Sequence, residues 1–147
     1  MQVLITQAIM DKLTEEAKAS PRLRMNMDLR NGPGDQSQRM LNAIEPGSPI
    51  PIHRHPKTSE TVVCLRGKLV WEFFRKVQDS GFKVQDVQET KTELVESIEL
   101  SPNGSVVALN VPAGQRHTVR ALESGSVILE CKEGAYEPLA ENDILSL

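Results

Sequence analysis

The sequence predicts an all-β fold, an antiparallel barrel or jelly roll with one helix at its amino end. Short segments with strand patterns follow one another from residue 22 onward, and turns rich in Gly and Pro separate them. Helical patterns are almost absent after the first 20 residues. Many short strands without intervening helices are typical of antiparallel barrels and jelly rolls.

The amino end carries the one helix signal. Within residues 6–20, the apolar residues Ile9, Leu13 and Ala17 recur at four-residue spacing, as on one face of an amphipathic helix. Thr6 is a suitable N-cap, and Pro21 is expected to stop the helix. A chain of 147 residues suits a single folded domain. We therefore expect a helical extension over residues 1–20 and one β domain over residues 21–147.

The strand signals cover most of the remaining chain. Residues 22–30 alternate polar and apolar side chains, which is the pattern of a half-buried strand. Further strand candidates are residues 39–44, 60–65, 68–76, 82–89, 92–100, 105–111, 117–122 and 126–132. The tail, residues 137–147, contains Pro138 and mixed polarity. We expect it to cross the surface without regular structure.

Charge and composition exclude several kinds of partner. The 17 basic and 20 acidic residues give a net charge of -3, and the basic residues form no run or stripe, which argues against nucleic-acid binding. Aromatic residues, which stack on bases, make up only 3%. No apolar stretch approaches the roughly 20 residues that cross a bilayer, and the amino end lacks the pattern of a signal peptide. These features predict a cytoplasmic protein with no membrane partner.

The three histidines indicate a metal site. His53 and His55 are two residues apart, so on an extended strand both imidazoles point to the same face, while Arg54 between them points away. Glu60 follows after a spacer long enough to turn back, and His117 follows a Pro-Ala-Gly turn. Three imidazoles and a carboxylate are suitable ligands for Zn, Fe, Ni, Mn or Co. We expect one divalent ion per chain, whose identity the ligands do not settle.

This spacing resembles the first motif of the cupin superfamily. That motif places Gly, His-x-His, Glu and Gly at fixed intervals, and here they stand without a gap at Gly47, His53, His55, Glu60 and Gly67. The second motif is present in its centre, as Pro112-Ala113-Gly114 followed by His117, but Val106 and Ala121 replace its outer Gly and Asn. The resemblance implies a cupin double-stranded β-helix, or jelly-roll barrel, for residues 21–147. It also implies His53, His55, Glu60 and His117 as the four metal ligands.

Longer segments are similar to the WbuC-type cupin metalloproteins, a group associated with bacterial surface polysaccharide and notably O-antigen. They are residues 39–43, 68–74 and 130–138, with Ile52 and Ala135 standing where that group has Pro. This resemblance implies a small polar ligand, such as a sugar or sugar nucleotide. It leaves open whether the protein is an enzyme. The alternatives are an Fe(II)-dependent oxygenase and a metal-binding module without turnover.

Other residues are weaker candidates. Arg39 and Asn42 precede the first motif and are candidates to line the barrel mouth, with hydrogen bonding at a sheet edge as the alternative. Tyr136 follows a Gly turn and is a candidate to close the pocket, or else packs as an amphipathic residue. Glu130 is a candidate partner for the second nitrogen of a ligand imidazole, or a solvated strand residue. Because the predicted helix has an apolar stripe that needs cover, and cupins often pair through such elements, we also expect a homodimer.

Overall fold

The computed structural model describes residues 1–77 and 91–145, and within them the fold is an all-β jelly-roll barrel with one amino-terminal helix. Two five-stranded sheets face each other, in the orders β1-β2-β9-β4-β7 and β10-β3-β8-β5-β6, and every pairing is antiparallel. The elements are α1 (Gln7–Ala19), β1 (Arg24–Asp28), β2 (Ser37–Ile44), β3 (Ile52–His53), β4 (Glu60–Arg66), β5 (Leu69–Lys76), β6 (Thr92–Leu100), β7 (Ala108–Val111), β8 (Arg116–Ala121), β9 (Ser126–Glu133), a short 3₁₀ helix (Glu141–Asp143) and β10 (Ile144–Leu145).

Helix α1 forms as the sequence predicts. The Thr6 hydroxyl accepts a hydrogen bond from the Ile9 amide at 3.2 Å, and the helix ends at Ala19, before Pro21. Its buried residues pack on the outer face of the first sheet, in a cluster that includes Met10, Leu13, Ala17, Leu41, Ala43 and Val127. The apolar stripe of α1 is therefore covered within the same chain. At 13 residues α1 is too short to cross a bilayer, and the described ranges hold no helix that qualifies.

The barrel interior is filled by alternate residues of both sheets, as the period of two requires. The main cluster contains Ile44, Val62, Cys64, Leu69, Trp71, Phe73, Val119 and Ile128, among others. On β4, Glu60, Val62 and Cys64 are all buried, so Glu60 continues the inward face of that strand. Through the pairing of β4 with β9, the inward face of β9 comprises Ile128, Glu130 and Lys132. The interior thus changes from apolar to charged along β4 and β9.

Most predicted strands are present with boundaries shifted by a few residues. The strand predicted over residues 82–89 lies outside the described residues. The prediction of an irregular tail was wrong, because the tail forms the 3₁₀ helix and β10, which pairs with β3. Tertiary contacts fix it: the Arg54 amide donates to the Asp143 carbonyl at 2.9 Å, and Arg54 Nε lies 2.7 Å from Asp143 Oδ1. A two-residue strand held in this way has no periodicity to detect.

The turn between β4 and β5 requires glycine at position 67. Gly67 has φ +77°, and a Cβ there would lie 2.3 Å from Ser126 Oγ and 2.7 Å from Ser126 Cα. Ser126 is itself fixed, because its hydroxyl accepts from the Lys68 amide at 3.1 Å and donates to the Glu123 carbonyl at 2.7 Å. Gly67, the second glycine of the cupin motif, therefore allows the β4–β5 turn to pack directly against the start of β9.

We predict that Gly67→Ala lowers the free energy of unfolding by about 3 kcal/mol or more, because left-handed strain and a clash with backbone add together. Gly125→Ala is the matched control, since Gly125 has φ +81° but a Cβ there meets nothing within 4 Å. Strain alone should cost the control about 1–2 kcal/mol. Chemical denaturation measures both, and equal losses in the two variants would contradict the clash.

Candidate metal centre

The structure brings the three histidines together at one point in the barrel. His53 on β3 pairs directly with His117 on β8, and their ring centroids are 4.5 Å apart. His55 follows β3, with its centroid 5.2 Å from that of His53 and 6.0 Å from that of His117. One nitrogen from each ring lies within 4.8 Å of the others. Residues 64 positions apart in sequence thus meet because β3 and β8 are neighbours.

Glu60 joins this cluster from the opposite sheet. It is the first residue of β4, and its side chain is only 3% exposed. Its Oε1 lies 2.9 Å from His117 Nε2, and its Oε2 lies 3.7 Å from His55 Nε2. The four side chains predicted as ligands therefore converge between the two sheets.

Backbone carbonyls orient two of the imidazoles. His53 Nδ1 lies 2.9 Å from the Pro51 carbonyl oxygen, and His117 Nδ1 lies 2.9 Å from the Gln115 carbonyl oxygen. Because a carbonyl only accepts, each Nδ1 donates, and a neutral ring then has a lone pair at Nε2. Glu130 does not fill this role for His53 or His117, since a backbone carbonyl occupies the position in each case.

A cation would fit between His117 and Glu60. His117 donates from Nδ1 to the Gln115 carbonyl oxygen, and its Nε2 lies 2.9 Å from Glu60 Oε1. Among the described residues, buried Glu60 Oε1 has no hydrogen-bond partner. A buried acceptor without a donor is costly, and a metal ion shared by nitrogen and oxygen ligands removes that cost. The donor set therefore suits a divalent first-row ion.

Burial sets the protonation of the other ligands. Loss of water, followed by the charge of His117, lowers the pKa of His53 to about 4. Loss of water, followed by the charge of Lys132, lowers the pKa of His55 to about 4. Burial opposes ionisation of Glu60, but its short contact with His117 and the nearby positive charges outweigh it and lower the pKa to about 2. Near neutral pH the centre thus holds neutral His53 and His55 and a carboxylate, which are the forms that bind metal.

Sequence reasoning missed Lys132. Its Nζ lies 3.2 Å from His55 Nε2 and 3.6 Å from Glu60 Oε2, and its side chain is 19% exposed. The signal was in the alternation of β9, which places Lys132 on the same face as buried Ile128, and in its pairing with Glu60. A lysine near a strand end is usually solvated, so only the strand pairing reveals this position.

Glu130 and Asn42 extend the polar region of the interior. Asn42 Nδ2 donates a short hydrogen bond to Glu130 Oε2. Both residues are partly buried, and they face inward on the neighbouring strands β2 and β9. Removal from water, followed by the charge of Glu60, raises the pKa of Glu130 to about 7. Asn42, predicted at the barrel mouth, thus has a partner inside the barrel.

Two other predicted substrate residues lie elsewhere. Arg39 occupies the opposite face of β2, where its Nη2 lies 2.9 Å from Asp35 Oδ2. It therefore faces away from the interior, and the structure does not support a role for it at the centre. Tyr136 is 59% exposed, and the Arg30 guanidinium carbon lies 5.9 Å from its ring centroid. That cation–π contact gives Tyr136 a structural role, and closure of a pocket by it stays a prediction.

The surface cavities of the described residues include one of about 530 Å³ and one of about 380 Å³. The larger lies near the β4–β5 turn, with Arg66 and Lys68 among its lining residues. The smaller is lined by Arg54 and Arg116 on the outer face of the second sheet, among others. None of the four candidate ligands lines either cavity. A pocket at the metal centre itself therefore stays a prediction.

The two facing sheets form the jelly-roll barrel of the cupin class, and known structures share this fold. KdgF from Halomonas sp. aligns with a TM-score of 0.55 and 15% identity over 80% of this chain and 84% of its own. BH2720 from Bacillus halodurans aligns with a TM-score of 0.54 and 18% identity over 93% of this chain and 85% of its own. The capsular polysaccharide assembling protein CapF from Staphylococcus aureus aligns with a TM-score of 0.54 and 19% identity over 84% of this chain and 34% of its own.

The sequence itself matches the family model described as Domain of unknown function (DUF6016) over residues 5–86. That range is more than half of the chain, so the protein belongs to this family. No curated protein sequence gives a significant match. The fold is therefore a jelly-roll barrel of the cupin type, and the family is one whose name assigns no activity.

We predict that ionisation of Glu130 destabilises the metal-free protein as the pH rises. The folded pKa of about 7 exceeds the ordinary value of 4.5, so the carboxyl contributes stability at low pH that is lost as pH rises through 7. From about pH 5 to about pH 8, the wild type should lose free energy of unfolding relative to Glu130→Gln. Denaturant titrations with a chelator present measure the difference, and a constant difference would contradict the raised pKa.

Proposed function

We propose that this cupin binds one divalent metal ion per chain through His53, His55, Glu60 and His117. The observation that supports it most is the 2.9 Å approach of His117 Nε2 to Glu60 Oε1. The ligand atoms come from β3, the segment after it, β4 and β8, so both sheets hold the ion. When bound, such an ion polarises a coordinated oxygen of water or ligand.

The chain's own residues give the centre its rigidity. The carbonyl oxygens of Pro51 and Gln115 fix two imidazoles, and Trp71 and Phe73 stand against His117 with ring centroids 6.4 and 6.3 Å from its own. These apolar rings exclude water from one side of the centre. Zn, Fe, Ni, Mn and Co all suit the ligand set, so metal analysis of protein purified without added metal is the first experiment.

The ligand that we propose is a small, oxygen-rich molecule such as a sugar or sugar nucleotide. Support comes from the WbuC-type resemblance in residues 39–43, 68–74 and 130–138, which connects this chain to bacterial surface polysaccharide. The shared fold with CapF, whose printed name refers to capsular polysaccharide, agrees with this proposal but supports only the fold. A polyol binds a metal through paired oxygens, which suits a centre with open coordination positions.

We predict that Glu60→Gln lowers metal affinity at least about tenfold, because an amide oxygen carries no charge to offset that of the ion. Glu72→Gln is the matched control. Glu72 lies on β5 outside the barrel, with its Oε1 2.9 Å from Arg120 Nη2, and its loss should leave metal content unchanged. Elemental analysis and competition with a chromophoric chelator give content and affinity.

The same centre should couple metal binding to stability. His55→Ala should reduce metal content, and added metal should raise the melting temperature of the wild type but not that of the variant, because ligands of the native state stabilise it. Equal responses of the two proteins would count against the assignment. Calorimetry with sugars and sugar nucleotides, comparing the metal-loaded wild type with His117→Ala, tests the ligand class.

A homodimer is the proposed assembly. The apolar stripe of α1 is covered by its own chain, so α1 does not need a second subunit to cover it. The support that remains is β1, an edge strand of the first sheet with backbone groups available for pairing. Light scattering at micromolar concentration distinguishes a dimer from a monomer.

A further inference from the structure

Lys132 places an ammonium group inside the candidate metal centre. It stands directly opposite Glu60 in the pairing of β4 with β9, and its Nζ lies 3.2 Å from His55 Nε2 and 3.6 Å from Glu60 Oε2. Its side chain is 19% exposed, so most of it is removed from water. A lysine in this position is costly unless it has a counter-charge or a task at the site.

With a divalent ion bound, the charges of the centre do not balance. The ion and Lys132 carry three positive charges together, while Glu60 supplies one negative charge. Ionised Glu130 would supply only one more. Because uncompensated charge in a low-dielectric interior is strongly unfavourable, the loaded centre favours a ligand that brings negative charge with it.

Metal binding also redirects the lysine. The Lys132 ammonium lies at hydrogen-bond distance from His55 Nε2, the nitrogen that faces Glu60 and the other ligands. Once that lone pair binds the ion, it no longer accepts from Lys132, and the two cations repel each other. The ammonium then needs another acceptor, and a ligand oxygen held beside the metal is within reach of its flexible side chain.

We propose that Lys132 and the metal ion together form an anion subsite for a small hydroxy acid. This inference rests on the proposed metal site and deepens it by naming the charge of the ligand. One carboxylate oxygen binds the ion and the other accepts from Lys132, while the neighbouring hydroxyl completes the chelate. The hydroxy acid class retains the oxygen-rich character proposed above and adds the charge that the centre requires.

The test uses two probes that differ in charge. Lactate and propane-1,2-diol have the same carbon skeleton and hydroxyl, but only lactate carries a carboxylate. Each is titrated by calorimetry into the Zn²⁺-loaded full-length protein. We expect the wild type to bind lactate at least about tenfold more tightly than the diol. Lys132→Met and Lys132→Gln should keep one metal ion per chain and lose most of that preference.

Two controls complete the design. Lys132→Arg, which keeps the positive charge, should retain the preference for lactate. Lys18→Met removes a lysine on α1 that pairs with Glu15 at 2.9 Å, and it should behave as the wild type. If the wild type holds no metal, the metal site and the subsite are both overturned. If it holds metal but shows no preference for lactate, or if both neutral variants keep that preference, only the subsite is overturned.

Discussion

The architecture of the centre depends on the approach of Glu60 to His117 across the barrel. Each belongs to a different sheet, and each is almost fully buried. Two groups that both carry lone pairs lie 2.9 Å apart and out of reach of water, so a positive charge beside them is strongly stabilising. Closure of the two sheets and occupation of the centre are therefore linked, and an ion bound there would join the sheets as the core does.

The spacing of the histidines and the turn residues were the features from which the fold and the candidate metal site could be predicted. His53, His55 and His117 are the only histidines of the chain, and their spacing matches the cupin motifs. The structure also shows why two positions of these motifs require glycine. Gly67 has no room for a side chain, and Gly114 adopts φ +81° in the turn that leads into β8. Alternation predicted the strands because it is local in sequence, whereas the grouping of His117 with the three other side chains was implied by the resemblance to the cupin motifs.

What the sequence did not reveal depends on register between distant strands. Lys132 reaches the centre only because β9 pairs with β4, and Asn42 finds Glu130 only because β2 pairs with β9. Alternation along β2 already places Arg39 and Asn42, three residues apart, on opposite faces, and the structure shows that Asn42 is the one facing inward. Strand β10 escaped detection because its two residues are fixed by Arg54 and Asp143 rather than by periodicity.

The two faces of strand β9 have different roles: one packs under α1, and the other carries charged residues into the centre. Its outward Val127 and Leu129 pack in the cluster under α1, while its inward face passes from Ile128 to Glu130 and Lys132. The apolar contacts on one side hold the strand in register. That register places Lys132, on the other side, at hydrogen-bond distance from His55. Because a shift of one residue would exchange the two faces, the helix helps to define the electrostatics of the centre without touching it.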